Sequence, residues 1–75
     1  MYIADLLIHV NENLSPAKRA SLEEELRKIS GVIAPRFNEE TPHLLLVCYD
    51  AREVNSRDLL TRVKANAYNA QLVGM

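Results

Sequence analysis

The 75-residue sequence is poor in cysteine and aromatic residues, with one cysteine, one phenylalanine and no tryptophan, and its charges nearly balance. A single cysteine cannot form an internal disulfide, so we expect a reducing, cytoplasmic compartment. Nine basic and ten acidic residues give a net charge of −1, which provides no electrostatic attraction to nucleic acid or to an anionic membrane. We therefore expect no nucleic-acid partner and no membrane partner.

Several signatures of other protein classes are also missing. No apolar run approaches the ~20 residues of a membrane-spanning helix, and the first residues do not have the pattern of a signal peptide. The sequence contains no glycine-rich phosphate loop, no catalytic triad and no paired acids with catalytic spacing. We expect one non-enzymatic domain over residues 1–75, because the chain has no room for a second core, and we expect no cofactor.

The first half of the chain predicts a strand, a helix and a turn. Apolar and polar residues alternate over residues 3–10, as in a half-buried strand. Ser15 is a favourable N-cap, and Pro16 suits the first helical position because its missing N–H has no partner there. Gly31 follows the helical pattern and is the residue best able to adopt a positive φ at its end.

The second half predicts two more strands, a helix and a last strand. Residues 32–37 form a strand that Pro35 places at a sheet edge, because proline donates no hydrogen bond to a neighbour. The apolar run over residues 44–49 is typical of a central strand. Asn55 is a candidate N-cap for a second helix, and residues 68–73 form the last strand.

The resulting order, βαββαβ, predicts an α+β, ferredoxin-like sandwich. Right-handed crossovers would place both helices on one face of a four-stranded antiparallel sheet.

The chain can be compared with a known protein family, most specifically in the loop between the first strand and the first helix. From Ile8 to Val32, at residues 45–50 and at Ala67-Tyr68, the chain resembles the heavy-metal-associated domain of copper chaperones and of the terminal modules of metal-pumping ATPases. The resemblance covers nearly the whole chain and implies the same fold.

The resemblance also identifies what the loop has lost. The family places a Met-Thr-Cys-x-x-Cys metal loop here, whereas this chain has Asn13 for the methionine, Ser15 for the first cysteine and Lys18 for the second. A hydroxyl and an ammonium group are not ligands for a soft metal ion. The resemblance therefore implies a degenerate metal site on an intact scaffold.

Alternation along the strands predicts an apolar outer sheet face, on the side away from the helices. The side chains expected there include three leucines on the two central strands, and a contiguous apolar patch usually marks an interface. We therefore expect an interaction or regulatory module that self-associates, or binds a protein partner, through this face. The predicted interface residues are Leu7, Leu44, Leu46 and Cys48.

Two other functions stay open from the sequence. His9 and Cys48 lie on neighbouring strands and point outward, so they could begin a metal site, although a structural zinc site normally has four ligands. His43 is a possible third ligand that we expect to be too distant, and a partner chain could supply others. The βαββαβ order also fits a small-molecule-sensing regulatory domain of the amino-acid-binding type.

Overall fold

The computed structural model describes residues 2–73 and confirms the predicted order of elements. Four antiparallel strands form one sheet in the order β2-β3-β1-β4, so β1 and β3 are central. The elements are β1 (Ile3–Val10), α1 (Pro16–Arg27), β2 (Val32–Asn38), β3 (Thr41–Asp50), α2 (Ser56–Lys64) and β4 (Ala70–Leu72).

The core lies between the helices and one face of the sheet, and the inner positions predicted by alternation are all buried. Leu22 and Leu26 of α1 and Leu59 and Val63 of α2 join the same cluster, so both helices cover this one face. The buried inner residues of the two central strands are Leu6, Ile8, Val10, Leu45, Val47 and Tyr49.

Both helices begin where the sequence predicts. The Ser15 side chain caps α1 and the Asn55 side chain caps α2, each by accepting a backbone N–H three residues later. The first helix ends at Arg27, and a short turn follows before Gly31, whose φ is +97°. Gly31 therefore has the predicted left-handed conformation, but it sits in the turn after the helix.

The strand bounds differ from the predicted ones at two places. Only Glu39 and Glu40 form the turn between β2 and β3, so β2 extends to Asn38 and β3 already begins at Thr41, three residues before the predicted start. The last strand is confined to Ala70–Leu72 and follows a turn that ends at Ala67, whose φ is +66°. The edge position of β2 is confirmed, with Pro35 opposite Val47 and its side chain buried.

Neither helix within residues 2–73 is long and apolar enough to cross a membrane.

Candidate functional site

The loop between β1 and α1 is built around the cap of the first helix. The Ser15 hydroxyl accepts a hydrogen bond from the backbone N–H of Lys18 at 3.2 Å. Leu14 is buried beside it, and its carbonyl accepts a hydrogen bond from Arg19 Nη1 at 2.8 Å. The Lys18 and Asn13 residues are exposed. Ser15 thus presents a capping hydroxyl and Lys18 a solvated ammonium group, and neither is a ligand for a soft metal ion.

A second set of contacts ties this loop to the segment before β4. The Glu12 carboxylate accepts hydrogen bonds from the backbone N–H and the side-chain amide of Asn69, each at 3.0 Å. The backbone N–H of Asn11 donates to the Asn69 carbonyl at 2.8 Å. The hydrogen bond from the Asn69 backbone lowers the pKa of Glu12, because it favours the charged carboxylate.

Two histidines meet at the same end of the sheet. The rings of His9 and His43 lie with their centroids 5.6 Å apart and their planes 12° from parallel. The expectation that His43 is too distant is therefore wrong. His43 is near the start of β3, which runs antiparallel to β1, and His9 lies opposite its neighbour Leu44.

The expected proximity of His9 and Cys48 is also wrong. Cys48 lies opposite Asp5, four residues along β1 from His9, which corresponds to about 13 Å of extended strand. Burial, followed by the neighbouring Asp5 carboxylate, raises the pKa of the Cys48 thiol. A raised pKa disfavours the thiolate, which is the form of cysteine that binds metal or acts as a nucleophile.

The structure brings together the three leucines predicted on the outer sheet face. Leu46 lies opposite Leu7 on one side and opposite Arg36 on the other. The leucines are half-buried, so part of each side chain remains exposed on this face. With the turn between β2 and β3 they line an open groove of about 580 Å³, whose rim carries Arg36, Asn38, Glu39, Glu40 and Thr41.

Sequence reasoning missed the histidine pair and the contact between Glu12 and Asn69. Both join residues that are more than 30 positions apart in the chain, and both depend on which strand ends meet. The one available signal was polar residues at the ends of predicted strands. From Tyr2 to Val73, no group of three or more histidine, cysteine, aspartate or glutamate side chains is arranged to hold a metal ion.

Comparison with solved structures identifies the fold. The chain is similar to the N-terminal domain of a potential copper-translocating P-type ATPase from Bacillus subtilis in the Cu(I)-loaded state, with 24% identity, a TM-score of 0.84 and coverage of 96% of this chain and 89% of that one. It is also similar to oxidized MerP from Ralstonia metallidurans, with 15% identity, a TM-score of 0.83 and coverage of 96% and 99%. A third similar structure is the CopZ metallochaperone, with 19% identity, a TM-score of 0.81 and coverage of 91% and 100%.

The chain thus has the fold of heavy-metal-associated domains. A scan against protein-family models found no match, and neither did a search of curated proteins.

Proposed function

We propose that this chain is a non-enzymatic interaction module that uses the fold of copper-binding domains without their thiolate loop. Its activity is self-association through the outer face, by which we mean the sheet surface containing Leu7, Leu44, Leu46 and Cys48. The observation that carries the proposal is the groove on that face, whose apolar lining consists of the three leucines and Phe37.

The arrangement of the loop supports a function other than soft-metal transfer. Ser15 uses its oxygen to cap α1, and Lys18 places a positive charge where the family has its second thiolate. A bound cation would be repelled by that ammonium group. The one thiol in the sequence, Cys48, lies on the outer face opposite Asp5, away from this loop.

The charges around the groove favour a second copy of the chain as its occupant. Arg36 lines one side, while Glu39 and Glu40 lie at the turn on its rim. A two-fold axis makes each copy present the same patch to the other, so a patch that carries both signs can be self-complementary. Pairing Arg36 of one copy with a rim carboxylate of the other would then align the two faces.

The magnitude of leucine burial sets the expected strength of the dimer. Completely burying a leucine contributes about 1.5–3 kcal/mol relative to full exposure. The three leucines are half-buried in the monomer, so each gains only part of that amount, and association itself has an entropic cost. We therefore expect a weak dimer that dissociates on dilution.

The experiment that tests this function is sedimentation velocity on Leu46→Glu beside wild type. The buried carboxylate should dissociate the dimer, while circular dichroism should show an unchanged fold because inward-facing Leu45 and Val47 are untouched. Ala20→Glu is the matched control, since it adds the same charge at an exposed position of α1. The control should dimerise like wild type.

Arg36→Glu provides a second test that removes no apolar side chain. Arg36 is exposed on the edge strand, so its charge reversal should leave the fold intact and weaken dimerisation through repulsion by Glu39 and Glu40 of the other copy. An undiminished dimer in both Leu46→Glu and Arg36→Glu would place the interface elsewhere and overturn the proposal.

A further inference from the structure

We propose that His9 and His43 form a two-imidazole site for a borderline divalent transition-metal cation such as Ni²⁺ or Zn²⁺. This site is separate from the Ser15 and Lys18 positions of the family loop, and it does not depend on association through the outer face. Its basis is the close approach of the two rings and the hydrogen bonds that orient them.

The spacing of the rings suits a shared metal ion. Imidazole nitrogens bind zinc at ~2.0–2.1 Å, so two rings on one tetrahedral ion have centroids roughly 5–6 Å apart. The observed separation of 5.6 Å lies in this range. Because the planes are nearly parallel, at 12°, binding requires one ring to turn so that both lone pairs point at the same ion.

The hydrogen bond of His43 leaves its outer nitrogen available. His43 Nδ1 lies 2.7 Å from the Val10 carbonyl oxygen. A carbonyl only accepts hydrogen bonds, so Nδ1 carries the proton and the neutral ring has its lone pair on Nε2. Metal-binding histidines commonly have this arrangement, in which a carbonyl or carboxylate fixes the tautomer and the ring orientation.

His9 has a related arrangement with a more adaptable partner. Nδ1 of His9 lies 3.0 Å from the side-chain oxygen of Asn11. The side-chain amide nitrogen of Gln71 lies 3.5 Å from the same Nδ1. Donation to Asn11 leaves Nε2 of His9 free as well. Since the Asn11 side chain can move more readily than the backbone of Val10, His9 is the ring that turns.

The chemistry of two imidazoles selects the kind of cation. Imidazole nitrogen suits zinc, copper and nickel, whereas tight binding of Cu(I) is favoured by thiolate and thioether ligands. Both histidines are half-buried, so water can reach the remaining coordination positions. The site thus selects a divalent ion held by two protein nitrogens and water, with much lower affinity than a four-ligand site.

The test is calorimetric titration of the full chain with Ni²⁺ and Zn²⁺, for wild type, His43→Asn and His9→Gln. Asparagine at position 43 keeps an amide N–H near the position of Nδ1, so it can still donate to Val10. We expect each variant to lose affinity by at least ~10-fold, the lower end of what even an outer-sphere partner contributes. Cys48→Ser is the control and should bind like wild type.

A spectroscopic measurement on wild type keeps the test independent of the variants' folding. Long-range ¹H–¹⁵N spectra should show Nε2 of both rings shifting on addition of Zn²⁺ while Nδ1 of His43 stays protonated. Unchanged affinity in the two histidine variants, or Zn²⁺ shifts confined to other residues, would overturn the proposal. Leu46→Glu should bind the metal normally, so failure of the dimer proposal can be distinguished from failure of this one.

Discussion

The Ser15 side chain accepts a hydrogen bond from the backbone N–H of Lys18 at 3.2 Å. The sequence resemblance to heavy-metal-associated domains implies cysteines at these two positions. In this chain the contact joins an N-cap to the first turn of α1. The Ser15 hydroxyl is therefore used in helix capping, and neither it nor the Lys18 ammonium group is a ligand for a soft metal ion.

Ser15→Ala should lower the free energy of unfolding by about 1 kcal/mol through loss of the cap. Lys18→Ala is the matched control and should have little effect on stability, because it keeps the backbone N–H that donates to Ser15. Chemical denaturation measures both. Neither variant should change the affinity of the protein for Cu(I), measured by competition with a chromogenic chelator. Loss of tight Cu(I) binding in Lys18→Ala would contradict the account of this loop.

Glu12 should make stability depend on pH in the acidic range. Its pKa is lowered in the folded state, chiefly by the hydrogen bond from the Asn69 backbone. A depressed pKa stabilises the fold above the ordinary value of 4.5, and that contribution is lost as the pH falls through the lowered value. The difference in unfolding free energy between wild type and Glu12→Gln should therefore be largest near neutrality. It should shrink as the pH falls below 4.5 toward the lowered pKa.

Thermal unfolding of both proteins across that pH range measures the effect. Glu39→Gln is a suitable control, because Glu39 is exposed at the turn between β2 and β3. The difference in unfolding free energy between wild type and Glu39→Gln should stay nearly constant across this pH range. An increase in the Glu12→Gln difference as the pH falls would mean that the carboxylate does not stabilise the fold through Asn69.

Sequence patterns predicted much of this fold because they reflect local physics. Strand alternation identified the inner and outer faces, Pro35 identified the edge strand, and Ser15 and Asn55 identified both helix starts. Each of these inferences rests on one element at a time. The histidine pair could not be found in this way, because it depends on how β1 and β3 are aligned.

The same limitation explains the incorrect pairing of His9 with Cys48. Both point away from the helices, as alternation predicts, but alternation gives only the side of a strand and not the position along its neighbour. Whether His9 and Cys48 lie close together therefore depends on the register between their strands. The groove likewise combines residues of β1, β2, β3 and the turn between β2 and β3, so no single element predicts it.

Ala67→Gly should stabilise the protein by about 0.5–1 kcal/mol. Ala67 has a φ of +66°, where an L-residue with a side chain is strained and glycine is not, and the gain exceeds the extra entropy that glycine has when unfolded. Gly31→Ala is the opposite control: φ is +97° there, and an added Cβ would lie 2.8 Å from the Glu53 Cβ. It should destabilise, and equal effects of the two substitutions would contradict this reading of the backbone.

Sedimentation equilibrium of wild-type protein from ~10 µM to ~1 mM, the range of a weak complex, tests self-association most directly. The weight-average mass should rise with concentration from that of the monomer toward twice that value. The rise should be absent in Leu46→Glu and retained in Ala20→Glu. A wild-type protein with the monomer mass throughout this range would contradict the claim that the outer face binds a second copy.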